Sequence, residues 1–352
     1  MNTRLIKTVL CLLLCLALLC PLASCTPSGV EEEGLSLAMT RGETFKILQF
    51  ADLHFGIEGA AYHNADEERT VTFMTHLVET EAPDLIVLSG DNMMNGGVEG
   101  ARELVRIMDA YETPYTFVFG NHDAEVTYDG YCKRDVSAYL EECASPYLLY
   151  RAGYVEDTAE NRYGNFSLSL TDEETGDLLG ALVIIDTGVY DYEKGDYQSI
   201  TEGQIAWYKS EIARLNAIYT KQKNNRSEVI PTLTYGHIQL PEHFTAYQKA
   251  ASGDGAHFVC EQALGGFMAD EVTQGAEGSL SPFYQAMKDM KSARSYLCGH
   301  MHGLSFHVEM DGILLGFCPQ TGITDRQSGP ARTFVYSFDE SFVLHPRLIT
   351  EP

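Results

Sequence analysis

Residues 45–120 alternate apolar runs with amphipathic segments, and no other feature constrains the fold as strongly. FKILQFA (45–51), PDLIVLSG (83–90) and PYTFVFG (114–120) read as strands; DEERTVTFMTHLVETE (66–81) and GVEGARELVRIMDAY (97–111) carry apolar residues at helical spacing. Strand, helix, strand in succession implies parallel pairing, because parallel strands need a crossover and a helix supplies it. LIVLSG and YTFVFG are continuously apolar, as in a sheet covered by helices on both faces. Each ends in glycine followed by polar residues, and in open α/β sheets ligands bind outside the carboxyl ends of the strands.

Downstream, YGNFSLSLT and LLGALVIIDTG read as antiparallel strands around the turn DEETGD. EGQIAWYKSEIARLNAIY reads as an amphipathic helix with the only tryptophan, Trp207, as a core anchor, and IPTLTYGH as another strand. The Gly-rich stretch 241–281 reads as an insertion on the substrate side. SARSYLCGH, LSFHVEM, ILLGF and TFVYSF complete a second, mainly antiparallel set. The fold class is therefore α/β, in a four-layer α+β form: two packed mixed β-sheets flanked by helices, with the site at strand carboxyl ends.

Arg4 and Lys7 precede the apolar run VLCLLLCLALLC and the small-residue segment PLASC, the pattern of an export signal too short to span a membrane. Leu22-Ala23-Ser24 before Cys25 resembles a bacterial lipobox, which implies lipidation of Cys25, attachment to the outer face of a membrane and an extracytoplasmic location. Residues 1–25 are then a leader, 26–43 an irregular acidic tether and 44–352 one domain. Removing the leader takes away two basic and no acidic residues, moving the net charge from −26 to −28. Such a surface repels phosphate backbones, so no nucleic acid is expected as a partner. The exported cysteines, Cys132, Cys143, Cys260, Cys298 and Cys318, include no CxxC pair; Cys298 and Cys318 read as buried thiols, and Cys132 with Cys143 is the one candidate bridge.

The residues just past five strands are ADLH, SGDN, FGNHD, YGH and CGHMH. They contribute Asp52, His54, Asp91, Asn121, His122, His237, His300 and His302, an oxygen and imidazole set without thiolate. Such donors suit manganese, zinc or iron better than calcium or copper(I). Asp52 with His54, and His300 with His302, have the i, i+2 spacing that turns two side chains to one side of an extended backbone. A carboxylate such as Asp91 can bridge two cations, so the set can hold a pair at the spacing of two-metal hydrolases. Any one motif alone is ordinary turn chemistry; five in one chain argue for a shared centre.

At these residues the sequence resembles the calcineurin-like metallophosphoesterase superfamily: DLH, GDN, GNHD, GH and GHMH match its blocks in order. IIDTGVYD, GQIAW and YGHIQLPEHF resemble the branch related to purple acid phosphatases. The resemblance implies that Asp52, His54, Asp91 and His302 hold one metal ion and Asp91, Asn121, His237 and His300 another. It also implies that His122 is the catalytic acid near the metals, oriented by Asp123. The metal-binding tyrosine of purple acid phosphatases falls on Met94, which speaks against a ferric-tyrosinate colour. The implied reaction is hydrolysis of a phosphate ester by direct attack of a metal-bridging hydroxide.

Two other readings compete. One is a surface-anchored binding lipoprotein with a structural metal site; the other is a nucleotide phosphodiesterase or nucleotidase, although the chain lacks room for a nucleotidase's large carboxyl-terminal domain. His63, His76, His307 and His345 read as core or surface residues, while His243, His257, Arg326 and Arg332 are further candidates for substrate contact.

Overall fold

The computed structural model describes residues 34–56, 64–94, 96–123, 133–155, 162–223, 228–261, 280–324 and 330–352. The leader with Cys25, residues 26–33 of the tether, His63, Cys132 and Arg326 lie outside the described residues.

The first sheet is built on β2 (Phe45–Phe50), β4 (Leu85–Leu88) and β6 (Tyr115–Phe117), which pair in parallel as the sequence pattern predicts. Helices α1 (Glu67–Glu81) and α2 (Gly97–Asp109) make the two crossovers. Asp66 caps α1, its side chain accepting from Arg69 N at 3.0 Å, which satisfies one of the donors a helix start leaves open. Phe73, Met74 and Leu77 of α1 and Leu104 and Met108 of α2 recur at helical spacing and are buried in the core cluster containing β2 and β4.

Two later strands, β16 (Arg332–Phe338) and β17 (His345–Thr350), extend this sheet, β16 lying antiparallel to β2 and β17 antiparallel to β16. TFVYSF therefore belongs to the first sheet, a correction to its expected place in the second. Alternation of apolar residues shows which face a strand buries but not which edge it joins.

The second sheet runs β1 (Ser36–Met39), β7 (Phe166–Asp172), β8 (Leu178–Ile184), β11 (Thr232–Tyr235), β13 (Ala293–Cys298), β15 (Ile313–Phe317), β14 (Phe306–Met310), β12 (Ala256–Glu261). Its centre, β8 to β15, is parallel throughout, and antiparallel pairs occur only towards its two ends. The expectation of a mainly antiparallel set thus fails at the centre. Segment 26–43 is not wholly irregular either: residues 36–39 form β1, in parallel register with β7. Helix α3 (Lys133–Glu142) precedes β7 in the chain.

Along β8 the side chains alternate between two cores. Leu182 and Ile184 join the cluster shared with the first sheet; Val183 and Ile185 join a second cluster with Tyr208 and Ile212 of α4 (Glu202–Lys223) and Phe283 and Met287 of α6 (Pro282–Met290). This period-two division makes a helix, sheet, sheet, helix sandwich, because each sheet face must find an apolar partner. Trp207 packs at the rim of the second core, and its neighbour Tyr208 is the fully buried anchor. The stretch 241–281 is not a loop over its described part: residues 241–252 form α5 (Pro241–Ser252), and edge strand β12 follows. Two small two-stranded ribbons, β3 (Phe55–Gly56) with β5 (Met93–Met94) and β9 (Tyr190–Asp191) with β10 (Asp196–Tyr197), follow the ends of main strands. Among the described residues no helix is long and apolar enough to cross a membrane.

Candidate metal centre

The turns after the parallel strands stay zipped together beyond the sheets. Asp52 N donates to Gly90 O at 3.0 Å and His54 N to Asp91 O at 2.9 Å, joining the turns after β2 and β4. Gly299 N donates to His237 O at 3.1 Å, joining those after β11 and β13. Asp52, from the first sheet, accepts His300 N from the second at 3.2 and 3.1 Å through its two carboxylate oxygens. The centre thus bridges the two sheets.

Asp52, Asp91, His54 and His300 have left-handed backbones, with φ of 53°, 49°, 53° and 69°. For residues other than glycine this conformation is strained, and it persists only where surrounding structure fixes it. It also corrects the extended-backbone expectation: β2 ends at Phe50 and β13 at Cys298, so neither histidine pair lies on a pleat. His300 and His302 consequently separate, one into each of two groups.

Asp52, His54 and His302 form one group, and Asp91, His237 and His300 the other; within each, one ligand atom per residue lies within 4.8 Å of the others. In the first, Nε2 of His54 and His302 face each other at 3.2 Å, and His302 Nε2 lies 3.5 Å from Asp52 Oδ1. In the second, His237 Nε2 lies 3.1 Å from Asp91 Oδ2 but makes no hydrogen bond. His237 Nδ1 is 3.0 Å from Ser89 O, and a carbonyl only accepts, so Nδ1 carries a proton and Nε2 is the nitrogen left to ligate.

Asn121 Oδ1 is buried without a hydrogen-bond partner, as is His54 Nδ1. Unsatisfied buried polar atoms are uncommon, and Asn121 lies in the chain between Gly120 and His122, both of which touch Asp91; the donor set fits a pair of cations. His302, with 28% of its side chain exposed, opens the centre to solvent, whereas His54 and His237 are closed off.

Electrostatics agree with a cation site. Burial holds the His54 imidazole well below its ordinary value and pushes His300 down to about 3, so both stay neutral and able to ligate. Burial alone would raise Asp91, but His237 and His122 facing it hold the carboxyl well below the usual range. Burial alone would lower His237, but Asp91, Asp52 and the Ser89 carbonyl together outweigh it and raise the imidazole to about 9, so a cation binding at Nε2 would displace a proton there.

His122 donates its backbone N–H to Asp91 Oδ1 at 2.8 Å, and its ring centroid lies 5.7 Å from that of His54. Asp123 is fully buried among these turns. Its carboxylate accepts from Met93 N at 2.8 Å, Gly120 N at 2.6 Å and Asn92 Nδ2 at 3.3 Å, and so fixes the backbone of the turns. Met94 is buried in β5.

Glycine is required where the turns touch. Gly90 has φ of +98°, and a Cβ there would lie 2.4 Å from His237 Nδ1; at Gly120 it would lie 2.1 Å from Asp91 N. This close approach explains SGD and FGN in chemical terms.

Of the other candidates, His243 lies in the second core, its Nε2 3.6 Å from Cys298 Sγ and its ring against Phe317, so it is not at a substrate surface. Arg332 is buried and donates to Ser305 Oγ at 3.3 Å. His307 is a core residue beside Tyr336, while His76, His257 and His345 are exposed. Cys143 is a free thiol that donates to Leu140 O, so it is not bridged, and Cys298 and Cys318 are buried free thiols.

Sequence reasoning missed Tyr197, whose ring stands edge-on to His300 at 4.6 Å. It also missed the buried pair of Lys133 Nζ with Asp186 Oδ1 at 2.8 Å, beside the turn after β8. The dense tyrosines of VYDYEKGDYQ (189–198) were the available signal for the first; a salt bridge between distant residues leaves none in sequence.

A family model described as calcineurin-like phosphoesterase matches residues 45–304. The probable inactive purple acid phosphatase 29 of Arabidopsis thaliana is 27% identical over 323 residues, covering 85% of this chain and 77% of its own. Phosphatase DCR2 of Saccharomyces cerevisiae is 26% identical over 281 residues, covering 73% of this chain and 44% of its own. A dimetal phosphatase structure from Danio rerio is similar at a TM-score of 0.47 and 11% identity, over 88% of this chain and 99% of that one.

Proposed function

The chain belongs to the calcineurin-like phosphoesterase family, and from that premise we propose that it is a phosphoesterase whose centre holds two metal ions. The observation that carries this reading is the pair of ligand groups, Asp52, His54, His302 and Asp91, His237, His300. In this reading Asp91 is the shared ligand, and manganese, zinc or iron the matching ions. When bound, the ions supply positive charge for a phosphate ester and lower the pKa of a water.

The chain's own residues do the rest. Ser89 O holds His237 in the ligating tautomer. Asp91 holds the backbone of His122 beside the centre, and from there the imidazole is placed to give a proton to the leaving oxygen. Water is the nucleophile, and no side chain carries the phosphoryl group.

Two relatives named as phosphatases, one of them as probably inactive, make activity the point to test. The chain should be reconstituted with manganese, zinc or iron, its metal content measured, and its turnover screened on phosphomonoesters and diesters. Two ions per chain with hydrolysis supports the proposal. Two ions with no hydrolysis across the screen replaces it with a binding protein that carries a structural metal site.

The location belongs to the same proposal. Arg4, Lys7, the apolar run and LASC support export, removal of residues 1–24 and lipidation of Cys25, leaving the domain at the outer face of a membrane. Incorporation of labelled fatty acid that is lost in Cys25→Ser would support it; equal labelling of that variant would remove it.

A further inference from the structure

The ligands of the candidate centre come from two sheets. Asp52, His54 and Asp91 follow β2 and β4 of the first, while His237, His300 and His302 follow β11 and β13 of the second, and each ligand group draws on both. For Asp91 to serve both groups, the ends of these strands must be held at a fixed offset.

Beneath the centre, one side chain ties three of those strand ends together. Gln49 of β2 is fully buried, and residues 47–50 are otherwise apolar. Its Nε2 donates to Ser89 Oγ at 2.8 Å, just past β4, and to Cys298 O at 3.3 Å, the last residue of β13 in the opposite sheet. Both partners lead straight to ligands. Ser89 O accepts His237 Nδ1 at 3.0 Å; Cys298 is followed by Gly299, whose N–H is donated to His237 O at 3.1 Å, and then by His300.

Folding does not need this amide. Ser89 Oγ also donates to Phe50 O at 3.1 Å, and Cys298 O also accepts Cys318 N at 2.8 Å, so each partner keeps a hydrogen bond without it. Gln49 Oε1 is itself buried without a hydrogen-bond partner, and an amide buried on those terms costs stability that an apolar side chain of similar length does not. A residue that is costly to bury and dispensable to its neighbours is explained by what its contacts position.

We infer that Gln49 is a positioning residue that sets the offset between the two sheets, so that Asp91, His237 and His300 converge on one metal ion. The inference rests on the reading of the centre as a two-metal site. Gln49 acts through Ser89 and Cys298 and is not itself a ligand.

The test is Gln49→Met in the full chain, which keeps the length of the side chain and removes the amide. Titration calorimetry with manganese should show at least one of two binding steps weakened about 10–100-fold, while the urea midpoint of the metal-free variant is unchanged or higher. Unchanged affinity at both steps overturns the inference. A lower midpoint, or failure to fold, assigns the amide to packing and overturns it as well. Ser89→Ala probes the same link from the other side, because it keeps the carbonyl that holds His237 and loses only Oγ. It should weaken the same step about two- to tenfold, and its loss should combine with that of Gln49→Met less than additively. Full additivity would mean that the two side chains act separately, against the inference.

Binding and turnover separate this from the underlying reading. A wild-type chain that binds two ions and hydrolyses no phosphate ester, with the affinity loss seen in Gln49→Met, removes the phosphoesterase reading and keeps the role of Gln49. A wild-type chain that binds no ion removes the two-metal centre and this inference with it. Two ions held equally well by wild type and variant remove the inference alone.

Discussion

His237 Nε2 lies 3.1 Å from Asp91 Oδ2, yet the two make no hydrogen bond; the imidazole proton is on the far nitrogen, donated to Ser89 O. An imidazole and a carboxylate that approach in this way, without hydrogen-bond geometry, leave one ligand atom each for a shared third body. In the proposed assignment a cation between them satisfies both.

Asp91→Ala should therefore lose most bound metal, since in the proposed assignment it is the shared ligand. His122→Ala should keep its metal and lose about 10²–10⁴-fold in kcat, the usual worth of a positioned general acid. Elemental analysis alongside steady-state kinetics separates the two, and a fully loaded, fully active Asp91→Ala protein would refute the assignment.

Gly90→Ala should destabilise the metal-free chain by about 2 kcal/mol or more, because its φ of +98° strains any side chain and its Cβ would strike the His237 ring. Urea unfolding measures the loss. Native stability with unaltered metal affinity would show that the turn has slack the structure does not suggest.

Acid should weaken the fold through two histidines away from the centre. Burial holds His243 down to about 4 and His307 down to about 3, so both are neutral when folded and protonate more readily when unfolded. The sign is fixed by that order: the stability they contribute is complete above pH about 6.5 and is lost as pH falls towards 4 and 3. By pH 5 each should have cost about 2 kcal/mol relative to pH 8. Unfolding curves of His307→Leu should show a shallower slope between pH 6.5 and 5; an unchanged slope would exclude His307 as a contributor.

Lys133 and Asp186 form a pair with 12% and 0% side-chain exposure, and the same carboxylate accepts Gly188 N at 2.9 Å and Tyr163 N at 3.3 Å. Lys133→Met leaves a buried carboxylate without its cation and should cost about 3 kcal/mol. Adding Asp186→Asn should recover part of that loss in thermal unfolding. If the double variant is less stable than Lys133→Met, the charge is not what the lysine compensates.

The amino-acid pattern by itself determined the parallel strand, helix, strand unit, because continuous apolar runs such as LIVLSG leave few alternatives to a sheet covered on both sides. It also placed Asp52, Asp91, Asn121, His237 and His300 just past strand ends, since a glycine followed by Asp, Asn or His marks where a buried strand gives way to a turn. Three things needed the folded chain. Strands β2 and β16 come from opposite ends of the sequence, and nothing local to TFVYSF says which sheet edge it will find. The resemblance already divided His300 and His302 between two groups, but the left-handed backbone of His300 is imposed by surrounding contacts and is not legible in the i, i+2 spacing. The contact of the Tyr197 ring with His300 exists because a hairpin is laid against a turn more than a hundred residues further along the chain. Local spacing records which faces a segment must bury, while the meeting of distant segments is settled by the packing energy of the whole molecule, which no short stretch of sequence contains.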